Sequence, residues 1–326
     1  MIKPSLLIFL LSWLMAFNAH GYDPEIGHKP LTLLALQAYQ SCFGESIDGQ
    51  KRLLQGNLAM DHGTGSFSPE DEKIPGAITL FHLVTRTTNW HFYHPDKSAF
   101  SKQKNVEKSH QKLWQMAIEG VKSQTRNHNK QLFLGALLHL TEDLSVPAHV
   151  VPVYHGPTTA LNWFGEFEHL TQYMTDKGAV DGFWLLQKIS DNIDIMPPNQ
   201  TKLLTAIKHP GKGFCQGLIP TQTPDQIRLH LAGKTLALIN TAIPACNGVK
   251  WSRFWPAANS EDRYFGRYNV EAGFPLFGEA GVISDKHGQV GCTVKRDDQR
   301  YLDFIFQLHL EAIKADVRLM RWSEGV

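Results

Sequence analysis

The sequence predicts an all-α protein built as a single domain. Long segments carry apolar residues at three- and four-residue spacing, the mark of helices with one buried face. Turn-forming glycine and proline separate these segments, and no repeat or low-complexity tract divides the chain. Only one stretch, in the C-terminal half, has a different character.

The first 21 residues are set apart from the fold. Lys3 precedes LLIFLLSWLMAF, an apolar run of twelve residues, too short to span a bilayer and typical of the core of a secretory signal. Ala19-His20-Gly21 fits the small-x-small cleavage rule and makes Tyr22 the first mature residue, with cleavage after Ala19 as the competing position. The expectation is an exported protein, secreted or periplasmic, whose domain is residues 22–326.

That domain opens with HKPLTLLALQAYQSCF, where Leu33, Leu34, Leu36 and Ala38 recur at helical intervals. Residues 77–93, 104–124 and 129–143 also read as helices, separated by GTGSFSPEDEKIPG and by the Pro95–Asp96 turn. Near the end, YLDFIFQLHLEAIKADVRLMRW places Leu302, Ile305, His309, Ala312 and Ile313 at helical spacing and is long enough to be a central bundle helix. Between Lys250 and Val294 the chain is rich in aromatics and glycine and has no steady period. An irregular or β-containing insertion, within about residues 245–295, is expected there.

The net charge of +1 writes no polyelectrolyte attraction to nucleic acid or anionic membrane into the composition. It does not exclude an enzyme that only hydrolyses phosphodiesters. Four cysteines, all in the mature part, suggest two disulfides in an exported chain. Cys246 and Cys292 bracket the insertion and are the favoured pair, which leaves Cys42 with Cys215. No CxxC spacing supports a cysteine-ligated metal.

The segment LHLTEDLSVPAHVVPVYHG, residues 138–156, concentrates the chemistry. His139 and Asp143 are four residues apart on one helical face, with Cβ atoms about 6 Å apart, so an imidazole and a carboxylate can grip one ion. Pro147 cannot continue the helix and turns His149 back toward the same place. A buried aspartate and two histidines without a basic partner are costly unless a cation satisfies them, and zinc suits nitrogen and oxygen ligands. Other segments add candidates. WHFYHPD sets His91 and His94 among aromatics, where a dry metal site and a plain aromatic core are equally served. GNLAMDHG supplies Asp61, EIGHKP supplies His28, and FGEFEHL supplies Glu166, Glu168 and His169.

Taken together, these segments resemble the bacterial zinc-dependent phospholipases C, within the superfamily that includes the S1/P1 nucleases. The resemblance spans roughly residues 22–170, with a compatible final helix. It rests on His139, Asp143 and His149 in an HxxxD-x5-H signature with its proline, on His91-Phe92-Tyr93-His94-Pro95-Asp96, on Gly56 to Asp61, and on His28 at the start of an early helix.

The resemblance implies a helical bundle holding three zinc ions. Asp61, His91, His139 and Asp143 would hold the first ion. Asp143 would bridge to a second, held also by His28 and by the amine and carbonyl of Tyr22. His149 and Glu168 would hold the third. The family has a histidine four residues before that acid, but here Phe164 stands there, which leaves His155, Glu166 or His169 to complete the set. Asp61 would orient or deprotonate the attacking water. The implied reaction is cleavage of the glycerol-side phosphodiester of a phospholipid at a membrane or micelle surface, by a monomer with no stable nucleic-acid partner. Exposed aromatics of WSRFW or of NWF are candidates for touching the lipid, and equally for core or a nucleobase shelf. A nuclease of the same superfamily, or a non-catalytic binding module stapled by zinc, are the alternatives.

Overall fold

The computed structural model describes residues 27–62, 92–95, 104–123, 127–151, 204–208, 210, 212–218, 222–254, 281–284, 290–294 and 298–325. These residues are predominantly helical. Helix α1 spans Lys29–Phe43. Pro30 occupies its first turn, where a missing N–H removes no intrahelical bond. It stops at Gly44, which adopts a left-handed φ of 70° and donates its N–H to the Gln40 carbonyl. Leu31, Leu34, Ala35 and Ala38 form its buried stripe.

Helix α2 is Gln50–His62, α3 is Lys104–Lys122 and α4 is Asn127–Glu142. The last passes directly into a 3-10 turn, Asp143–Ser145. Val146 then takes an extended conformation and Pro147 opens the one-turn helix α5, Pro147–Val150. The short α6 is Lys212–Gln216 and α7 is Pro224–Ile239. Strands β1, Gly281–Ser284, and β2, Val290–Val294, form an antiparallel hairpin inside the expected insertion. The final helix α8, Gln299–Ser323, packs on α1, α4 and α7 and so is the central helix that its pattern predicts.

Several segments differ from expectation, and the sequence pattern did not predict helices α2 and α6. The predicted helix 77–93 lies outside the described residues as far as 91, and Phe92 and Tyr93 are not helical. Tyr93 instead donates its N–H to the His149 carbonyl at 3.0 Å, so that backbone hydrogen serves another segment. Helix α7 was not anticipated, although its start is legible. Thr223 accepts from the Gln226 N–H while the Gln226 side chain accepts from the Thr223 N–H, a complete capping box.

The α2–α4 contact is set by two glycines. A Cβ on Gly56 would fall 2.1 Å from the Leu132 carbonyl oxygen, and one on Gly135 would fall 2.0 Å from that of Leu53. Helices this close exclude any side chain at the crossing. The core runs on through Trp251 and Phe254, both buried, with Trp251 stacked on Phe304 at 4.4 Å. Of the alternatives for WSRFW, these two residues are core, and Trp251 packs on Tyr301 and Phe304 of α8. The NWF residues lie outside the described part.

Cys42 and Cys215 form a disulfide that ties the end of α1 to α6. Cys246 is also disulfide-bonded. The side chain of its expected partner, Cys292 on β2, lies outside the described part. Among the described residues, no helix is long and apolar enough to cross a membrane.

Candidate metal centre

The junction of α4 with its 3-10 turn organises the site. Helical geometry projects His139 and Asp143 from one face, and the structure sets His139 Nε2 3.4 Å from Asp143 Oδ2. The Pro147 turn brings His149 Nδ1 to 3.5 Å from Asp143 Oδ1. From the other end of the fold, His28 places Nε2 3.5 Å from the same Oδ1 and stacks its ring on that of His139, with centroids 3.8 Å apart. All four side chains are buried. The segment after His91 is held here too. Tyr93 is hydrogen-bonded through its N–H to His149, and Phe92 packs against the His149 ring at 5.3 Å. The Arg228 guanidinium of α7 lies over the Tyr93 and Trp114 rings, 4.6 and 4.7 Å from their centroids.

Distances separate two kinds of contact. The three imidazole–Asp143 separations exceed the 2.7–3.2 Å of good hydrogen bonds. Each matches instead the spacing of two atoms bound to a common ion: ligands about 2.0–2.1 Å from a tetrahedral zinc lie about 3.4 Å from one another. The other nitrogen of His28 behaves differently. Its Nδ1 lies 2.5 Å from Glu142 Oε2, a true hydrogen bond. His28, His139 and Asp143 can together hold a metal ion, since one ligand atom from each lies within 4.8 Å of the others.

Glu142 is a residue that the sequence reading missed. Thr32 Oγ1 donates to its Oε1 at 2.6 Å, and Asn57 Nδ2 donates to its Oε2 at 2.9 Å and to Thr32 Oγ1 at 3.0 Å. The signal that could have found it is an acid beside Asp143 in an otherwise apolar helix, where burial demands donors. A third buried acid, Asp316 of α8, faces Glu142. Among the described residues, no donor reaches either of its oxygens. Burial, followed by the charge of Glu142, pushes its carboxyl well above the usual carboxylate range.

Burial opposes a charge on His28, but hydrogen bonding to Asp143 and Glu142 outweighs it and raises its pKa from 6.5 to about 10. The two acids approach opposite ring nitrogens, Glu142 at 2.5 Å from Nδ1 and Asp143 at 3.5 Å from Nε2. This site stabilises positive charge strongly, and a dication satisfies the same demand.

Of the residues the sequence singled out, His28, His139, Asp143 and His149 converge. Asp61 lies in the last turn of α2, one turn beyond Asn57, but its side chain is not among those described. Tyr22, His91, His155, Glu166, Glu168 and His169 lie outside the described residues. No family model, curated protein or solved structure matches this chain.

Proposed function

We propose that this chain is an exported zinc-dependent phosphodiester hydrolase that acts as a phospholipase C, releasing diacylglycerol and a phosphorylated head group. The observation that supports this reading is the spacing of His28, His139 and His149 around both oxygens of buried Asp143. Three imidazoles and a carboxylate form a donor set for zinc rather than for magnesium or calcium, which favour all-oxygen shells.

His28, His139, Asp143 and His149 would hold the ions, completed by Asp61, His91, Glu168, the backbone of Tyr22 and one of His155, Glu166 or His169. Bound dications lower the pKa of a water and neutralise charge on the attacking and leaving oxygens. Asp143, with its two oxygens toward different imidazoles, suits a bridging role. Asp61 is assigned to orient or deprotonate the attacking water. Use of the Tyr22 amine would make activity depend on removal of the preceding residues.

The test is metal analysis of the processed protein, followed by lipid and single-stranded nucleic-acid assays on one preparation. Bound zinc with release of phosphocholine from phosphatidylcholine, abolished by Asp61→Asn, is the expected result. Nucleic-acid cleavage without lipid turnover would move the assignment to a nuclease, and zinc without either activity would leave a structural module.

A further inference from the structure

Glu142 has no place in the metal set derived above, yet it is buried and takes three donors, two from the start of α1 and one from α2. They are the Nδ1 of His28, the hydroxyl of Thr32 and the amide of Asn57. We propose that Glu142 is a positioning residue of the metal centre, holding the His28 ring so that Nε2 faces the ion beside Asp143. This inference rests on the metal reading of the site.

The argument is one of tautomers and angles. A neutral imidazole binds a cation through one nitrogen only if the other carries the hydrogen, and a carboxylate acceptor at that second nitrogen selects that form. Glu142 lies on the far side of the ring from Asp143, so a single hydrogen bond fixes both the tautomer and the ring plane. The carboxylate cannot swing away, because Thr32 and Asn57 grip its two oxygens while hydrogen-bonding each other. Thr32 sits one turn after His28 on the same helical run, so α1 delivers both the ligand and part of its clamp.

The experiment is zinc titration of the processed full chain against a chromophoric chelator, alongside nitrogen NMR of the His28 imidazole. Glu142→Gln should weaken zinc binding about 10- to 100-fold. It should also scramble a wild-type pattern in which Nδ1 carries hydrogen and Nε2 the metal. Thr32→Val, which keeps the shape and removes one donor to Glu142, should weaken binding about three- to tenfold, with recovery in Thr32→Ser. The Thr32 pair decides the matter if Glu142→Gln does not fold. Wild-type protein that takes up no zinc would overturn the functional reading and this inference together. Wild-type binding with unchanged affinity and an unchanged imidazole pattern in these variants would overturn this inference alone.

Discussion

Gly135 faces the Leu53 carbonyl so closely that a Cβ would fall 2.0 Å from its oxygen. The relation is reciprocal, since Gly56 stands against the Leu132 carbonyl in the same way. This crossing brings Asn57 of α2 onto Glu142 of α4, and so ties a close helix contact to the candidate site.

Gly135→Ala is therefore expected to force α2 and α4 apart, with a loss of about 3 kcal/mol or more. Gly233→Ala is the control: it is helical, has nothing within 4 Å of an added Cβ among the described residues, and should gain about 0.5–1 kcal/mol. Denaturant titration measures both. Equal stabilities would contradict the close-contact geometry.

On the proposed function, Asp143→Asn is expected to lower bound zinc and to reduce hydrolysis at least about a hundredfold, as removal of a charge-stabilising group does. Chelation of the wild-type protein should lower its melting temperature, with recovery on adding zinc and not magnesium. A melting curve indifferent to chelator and zinc would remove the metal centre.

Acid stability carries a signature of His309. Burial lowers its pKa from 6.5 to about 3, so it is neutral in the folded chain. Below pH about 6.5 the unfolded chain binds a proton that the folded chain refuses. Stability from this group is thus complete above that pH and falls toward pH 3, by up to about 1.4 kcal/mol per unit. His309→Gln should flatten that limb. Asp316 has the opposite sign: its raised pKa makes its contribution greatest below about pH 4 and lost as pH rises. Urea midpoints measured from pH 4 to 8 separate the two, and an unaltered slope in His309→Gln would refute the assignment.

The Cys42–Cys215 bridge spans 173 residues of sequence. Replacing both cysteines by serine should cost about 3–5 kcal/mol, mainly by freeing the unfolded chain. Thermal unfolding of the double variant against the oxidised wild type checks this.

Local periodicity made several elements readable. Apolar spacing located α1, α3, α4 and α8, because a helix with one buried face needs residues three and four apart. The His139–Asp143 pair was legible for the same reason, and Pro147 announced the turn that returns His149. The end of the predicted helix 77–93 was not. Tyr93 gives its backbone hydrogen to His149, a partner more than fifty residues away that no local pattern reveals.

What the sequence determined by itself was the helical character of the chain and the three chemistry-bearing residues of the α4 turn, since both follow from spacing within a few residues. His28 was a candidate in the sequence, but only the tertiary structure decided that it meets them and that Glu142 lies behind it. His28 and Glu142 are 114 residues apart, and Thr32, Asn57 and Asp316 reach the same acid from three different helices. A buried carboxylate must find donors wherever packing supplies them, and that supply depends on how closely helices cross, as at Gly56 and Gly135.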